Sequence, residues 1–179
     1  GYRKPATIRR GVQALTHHPS STLPKLTIEN LRFEQPTMSA ISILRGNEEV
    51  RVSDIHVAGV ETLTLIVTGP PPPPPIPPPP PVTLKFRQGI AVTAALGDIA
   101  GDIVISDNVV NGGPYGPGDS ALLVGSGIVL AGQLTPAQTT SFTAKARVAN
   151  NRVSNWAGTG IVASGVISDA TIEENWVEP

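Results

Sequence analysis

Five segments of this chain share one register. LTIENLRF, VRVSDIHV, IVISDNVV, ARVANNRV and ATIEENWV align when Val148 is placed over Ile28, Val52, Ile105 and Ile172. Two residues before this anchor stand Leu26, Val50, Ile103, Ala146 and Ala170, and five after it stand Phe33, Val57, Val110, Val153 and Val177. Three after it the residue is Leu31 or Ile55 in the first two copies and Asn108, Asn151 or Asn175 in the last three. Ile28 and Val52 are 24 residues apart, as are Val148 and Ile172. Units that repeat at such a period bury their apolar faces by stacking on their own copies.

A second series of short apolar runs, often opened by glycine, follows the anchors: Gly11-Val12 and residues 40–43, 63–67, 89–92, 127–130 and 160–163. With Val12, Ile41, Leu65, Ile90, Ile128 and Ile161 as equivalents, the basic period stays near 24 and loops of variable length are added to it. Each period then holds three short strands, which are expected to stack on their own copies as three parallel sheets wrapped into a coil. In the copy around Val148 these are 146–148, a second ending at Val153 beyond a sharp bend at Ala149-Asn150, and 160–163.

Composition agrees with β structure rich in turns. Eighteen glycines and nineteen prolines punctuate a chain of 179 residues with only 15% charged side chains. That length suffices for one domain with a sizeable core. A net charge of −1 marks neither a nucleic-acid partner nor an anionic membrane. Without cysteine there is no disulfide or thiol chemistry. No apolar run approaches the roughly 18–20 residues needed to insert across a bilayer. The chain opens at Gly1 with no visible signal peptide, as expected of a fragment or of a chain whose targeting segment has been removed.

The I-x-x-N-x-V repeat and the G-I-V strands resemble the right-handed parallel β-helix of the pectate-lyase-like superfamily, over roughly Leu26 to Val177. The resemblance implies an all-β, right-handed, single-stranded parallel β-helix, a solenoid of about five to six coils. Residues 1–25 would form an entry segment or first coil and residues 26–179 the helix. It also implies an extracellular or cell-surface location and a polysaccharide lying along the sheet of the G-I-V strands. The outward residues of that sheet would be Gln13, Ser42, Thr64, Ala91, Val129 and Val162. Cleavage of a glycosidic bond needs two carboxylates at a set separation, and elimination needs a base with a cation or arginine. This column offers neither, so no catalytic residue is assigned.

Ligand contacts are therefore sought in loops. Tyr115 and Asp119 lie in the Gly/Pro-rich stretch 111–126, Trp156 in the equivalent loop one copy later, and Glu61 in an earlier one. Flat aromatic faces beside a groove stack on sugar rings, and Glu34 with Glu61 would form a spaced acidic row. The bland alternatives are that Trp156 caps the core and that the glutamates are solvated loop charges. Asn108, Asn151 and Asn175 read as a structural ladder inside a tight bend, bonding one another and the backbone. His17, His18 and His56 lack a suitably spaced further ligand, so neither a metal nor another cofactor is expected.

The proline tract 70–81 cannot donate to a strand ladder and is expected to form an outward polyproline II loop. It would be a spacer or, less readily, a docking site for proline-reading domains. A further loop, 131–145, is rich in Thr and Gln. Ala170, Ile172 and Val177 would leave the last copy uncovered, which predicts either continuation in a longer chain or end-to-end stacking with another copy. The functional expectation is a module contacting polysaccharide through one groove. The alternatives are a lyase or hydrolase with loop-borne catalytic residues, and a structural stalk or adhesin segment.

Overall fold

The structure, a computed structural model, describes residues 5–9, 15–17, 25–46, 49–67, 80–114, 123–132, 140–156, 158–165 and 167–179. Among them there is no helix. The strands are β1 (Ala6–Arg9), β2 (Leu15–His17), β3 (Lys25–Glu34), β4 (Ser39–Ile43), β5 (Glu49–Ala58), β6 (Leu63–Val67), β7 (Val82–Thr93) and β8 (Ile103–Ser106). They continue with β9 (Val109–Asn111), β10 (Leu123–Ala131), β11 (Phe142–Ala149), β12 (Arg152–Ser154), β13 (Thr159–Ser164), β14 (Ile167–Glu173) and β15 (Trp176–Val177). Alternation sets their faces. In β11, Phe142, Ala144, Ala146 and Val148 are buried while Thr143, Lys145 and Arg147 face outward.

The strands form two sheets. The nine-stranded sheet has the path β14-β11-β8-β5-β9-β12-β15, with β3 pairing β5 and β1 pairing β3. The six-stranded sheet runs β13-β10-β7-β4-β2, with β6 attached to β7. One continuous core lies between them, drawing Val50, Val52, Ile105 and Val148 from the first sheet and Ile41, Ile90, Ile128 and Leu130 from the second.

The anchor column pairs as the alignment predicts. Ile28 faces Val52, Val52 faces Ile105, Ile105 faces Val148 and Val148 faces Ile172, all in parallel register. The residue two beyond each anchor (Asn30, Asp54, Asp107, Asn150, Glu174) has a left-handed backbone, with φ between 53 and 60°. Asparagine and aspartate adopt that conformation more readily than most residues with a Cβ. They place the bend in four of the five copies, and Glu174 takes the position in the last.

The right-handed single-stranded parallel β-helix expected from the sequence is not what forms. Instead of three sheets there are two, because the bend turns the chain without ending its pairing. β3 and β5 run through it as ten-residue strands, paired from Lys25–Glu49 to Glu34–Ala58. In later copies the bend splits the strand into β8 and β9, β11 and β12, β14 and β15. Both arms rejoin one sheet through β5, which pairs β8 with its first half and β9 with its second.

The constant period also fails. In the second sheet Ile41 pairs with Leu15 on one side and Ile90 on the other, not with Leu65. Leu63–Val67 runs antiparallel to β7, from Leu63 opposite Phe86 to Val67 opposite Val82. The chain between them carries the proline tract, most of which lies outside the described residues. Its prolines have no N–H to give a ladder, and the strands on either side of it pair with each other as a hairpin. The glycines of this sheet answer to sterics. A Cβ on Gly89, Gly127 or Gly160 would sit 2.2–2.3 Å from a methyl of Val110, Val153 or Val177. Each of the last three copies thus presses the valine five beyond its anchor against a bare backbone.

The three asparagines lie in one row inside the bend. The Asn108 Oδ1 accepts from the Ile55 N–H (3.0 Å), that of Asn151 from the Asn108 N–H (3.1 Å) and that of Asn175 from the Asn151 N–H (3.0 Å). Each Nδ2 donates to the anchor carbonyl of the preceding copy: Asn108 to Val52, Asn151 to Ile105 and Asn175 to Val148. Side-chain amides also bond directly, Asn108 to Asn151 at 2.8 Å and Asn151 to Asn175 at 2.9 Å. Asn108 and Asn151 are each 1% exposed, so nothing but protein satisfies them.

Replacing Asn151 with Leu strands the Asn108 donors and the Ile105 carbonyl in an apolar interior. Urea unfolding of Asn151→Leu should show a loss of about 1–3 kcal/mol or more. Asn175→Leu, at a half-buried position, should lose less. In Gly127→Ala the new methyl meets both Val153 and the Trp156 indole, and overpacking of that kind costs about 1–3 kcal/mol. An unchanged unfolding midpoint for Gly127→Ala would mean the two sheets are not pressed together at this point.

Candidate binding site

Half of the sheet column read as the outward groove is closed; Thr64 is exposed, Val162 half-buried, and Gln13 lies outside the described residues. Ser42 and Ala91 are each 2% exposed and Val129 is 7% exposed. Ala91, Val129 and Ala131 form a second small apolar cluster with Val162 against it, and the Ser42 hydroxyl bonds that of Ser39 at 2.7 Å. Period-2 alternation separates the two faces of a strand but does not say which of them is covered. No polysaccharide can lie directly along Ser42, Ala91 and Val129.

An opening does exist at the edge of the stack, where the turns after β3, β5 and β9 lie beside one another. It is a cavity of about 300 Å³ lined by Gln35, Val60, Glu61, Thr62, Arg87 and the Gly112–Pro114 backbone, among others. Parallel stacking builds its walls. Gln35 donates its backbone N–H to the Ala58 carbonyl, Gly59 to Asn111 and Val60 to Gly112, so three successive turns are tied together. Thr37 and Glu61 form a parallel bridge, and the Thr37 hydroxyl bonds the Glu61 carboxylate at 3.2 Å. Glu61 itself is exposed.

Arg87 forms the floor. It is 1% exposed, and its Nη2 donates to the Gly113 carbonyl at 2.8 Å with Nη1 directed at that of Pro114. The guanidinium lies over the Trp156 ring, 5.6 Å from its centroid, a cation–π arrangement that offsets part of the cost of burying the charge. Trp156 is itself buried and donates its indole N–H to the Val110 carbonyl at 3.2 Å. It therefore supports the site from below and offers no free face to a sugar ring. Arg87 went unread in the sequence because KFRQG marks only a polar stretch before a strand. Its burial comes from residues dozens of positions away.

The remaining candidates separate. Glu61 is on the rim, Trp156 beneath the floor, and Tyr115 and Asp119 lie outside the described residues. Glu34 does not join Glu61 in an acidic row. It is held by Arg9 at 2.7 Å and Arg32 at 2.9 Å on the surface of the first sheet. Asn108, Asn151 and Asn175 are spent on the ladder described above. Among the described residues no group of three His, Asp or Glu side chains could hold a metal ion, and no helix is long and apolar enough to cross a membrane. No protein-family model, curated protein or solved structure matches this chain.

Beside Glu34, the Arg32 Nη1 donates to His56 Nδ1 at 2.8 Å, so that nitrogen must be the acceptor of a neutral ring. Partial burial, followed by the Arg32 charge, holds the His56 pKa below its ordinary 6.5, with Glu34 opposing. The unfolded chain then binds the proton more readily than the folded one. The stability that His56 contributes is complete above pH 6.5 and is lost as pH falls through its lowered folded value. Urea titrations at a series of pH values should show a difference between the wild type and His56→Gln that shrinks on acidification below pH 6.5. A difference independent of pH there would contradict the Arg32–His56 bond.

Proposed function

We propose that the chain is a non-catalytic binding module that takes one unit of a polysaccharide in the Gln35–Glu61–Arg87 cavity. The observation that carries this reading is the lining of the opening. Gln35, Glu61 and Thr62 line it together, above the buried Arg87. Such a mixture of short-range donors and acceptors suits a ligand rich in hydroxyl groups. Nη1 and Nη2 of Arg87 already bond backbone carbonyls, which favours a neutral ligand over an anionic one. At about 300 Å³ the site is at the small end of ligand pockets, room for a single ring with the rest of the chain outside.

Among the described lining residues Glu61 alone carries a carboxylate. Hydrolysis of a glycosidic bond by the usual route needs two, which is why binding is preferred to turnover. On this reading the partner is an extracellular or cell-surface glycan. Titration calorimetry against a panel of neutral and acidic polysaccharides should find saturable binding to a neutral member. Glu61→Gln should weaken it about tenfold by removing a charge-assisted hydrogen bond, with little change in the unfolding midpoint. Binding indifferent to both Glu61→Gln and Gln35→Ala would remove the cavity from the account. Release of new reducing ends or of unsaturated sugars would replace the module with a hydrolase or a lyase.

A further inference from the structure

Of the chain's asparagines only Asn111 is followed by glycine. An asparagine in that setting is chemically labile, because no side chain shields the next amide nitrogen from the asparagine's own Cγ. Packing demands this glycine: a Cβ on Gly112 would sit 2.2 Å from the Asn155 carbonyl oxygen. The fold does not demand the asparagine in the same way, since the paired positions in other copies hold Glu34, Ala58 and Ser154. Asn111 is half-buried at the end of β9, and neither the bonded asparagine row nor the cavity lining includes it.

Its side chain is already arranged for reaction. Oδ1 accepts from the Gly113 N–H at 2.7 Å, an Asx turn that folds the side-chain amide back over the peptide between Asn111 and Gly112. Oδ1 also accepts from the Asn155 Nδ2 at 3.1 Å. Two N–H donors on one carbonyl oxygen stabilise the negative charge that gathers there when its carbon is attacked. The nucleophile, by contrast, is restrained. The Gly112 N–H donates to the Ser154 carbonyl of the next copy at 2.9 Å, which keeps the proton on the nitrogen and the nitrogen in the ladder.

We infer that Asn111 is a self-modification site guarded by the Gly112–Ser154 hydrogen bond. When β9 and β12 part locally and that bond opens, the Gly112 nitrogen gives up its proton to solvent and attacks Asn111 Cγ. The new C–N bond closes an imide, and the side-chain nitrogen takes up a proton and leaves as ammonia. Water then opens the imide at one carbonyl to aspartate, or at the other to isoaspartate, in which the main chain runs through Cγ. Isoaspartate lengthens the main chain by one carbon and adds a carboxylate where successive turns are tied together. The Gly59 N–H bonds the Asn111 carbonyl there at 3.0 Å, and the Val60 N–H bonds that of Gly112 at 2.9 Å. Those bonds cannot re-form in register, so a transient opening becomes a permanent loss of one wall of the cavity. Asn108, Asn151 and Asn175 are followed by Val109, Arg152 and Trp176 and are spared.

The full chain, folded and in urea, is incubated at mildly alkaline pH, and isoaspartate is located by methyltransferase labelling with peptide mapping. Hydrogen exchange of the Gly112 amide is followed alongside by NMR. One local opening exposes this nitrogen to both reactions. Folding should therefore slow isoaspartate formation at Asn111 by the same factor as it slows Gly112 exchange. Chain that carries isoaspartate, separated by ion exchange, should lose protection at the Gly59 and Val60 amides and keep it at Val52. These readouts need no ligand, so they stand or fall apart from the polysaccharide reading. Isoaspartate formed as fast in the folded chain as in urea, with the Gly112 amide still protected, would overturn the inference. So would the absence of isoaspartate at Asn111 long after that amide has exchanged. Unchanged protection of Gly59 and Val60 in the modified chain would overturn the effect on the wall.

Discussion

The bonded row of Asn108, Asn151 and Asn175 is the constraint on which the rest of the structure depends. A left-handed residue at every bend turns the chain sharply, and the residue that follows points inward with its N–H beside it. In an apolar interior an unmet N–H or carbonyl costs about as much as a good contact gains. An asparagine there meets two such groups of the preceding copy at once. Because its oxygen accepts from the bend N–H of the preceding copy while its nitrogen donates to that same copy's anchor carbonyl, it works in one register only. The buried isoleucines and valines, each worth roughly 1.5–3 kcal/mol, supply most of the stability. They would tolerate a slip of two residues, which keeps the same face inward. The asparagines would not.

The constraint explains what the sequence made legible. Anchors, flanking columns and asparagines recur because each copy answers the same local demand, so they could be aligned by eye and pair as aligned. The bend was visible in the copy around Val148, at Ala149-Asn150, and Asn30, Asp54 and Asp107 hold the same left-handed place in other copies. The strands of the second sheet carry no comparable polar signature. Leu63–Val67 has the composition of an equivalent strand yet runs the other way, antiparallel to β7. Leu15 rather than Val12 pairs with Ile41, a choice that apolar pattern alone does not make. The number of sheets was misread for a related reason: a bend in the sequence was taken as an end of pairing, and β3 and β5 pair straight through it.

The candidate site was legible only at its rim. Glu61 could be placed in a turn from the repeat spacing, and the core role of Trp156 was the bland reading of a tryptophan under a loop. Arg87 belongs to neither repeat. Its position follows from Gly113, Pro114 and Trp156, which come from two later copies. A site built where turns from several copies converge leaves no contiguous motif, even in a chain whose scaffold is repetitive. This division of labour is physical: strands repeat because stacking demands it, whereas turns vary because little packs on them.

Backbone amide hydrogen exchange tests the ladder most directly. The N–H groups of Ile55, Asn108 and Asn151 lie in bends, where amides ordinarily exchange quickly. If their bonds to asparagine oxygens hold the copies in register, all three should exchange as slowly as the strand amides of Val52 and Val148, with Asn175 far faster. Exchange of the Asn108 and Asn151 amides at loop rates, with strand amides still protected, would mean that the copies are held by apolar packing and strand pairing alone.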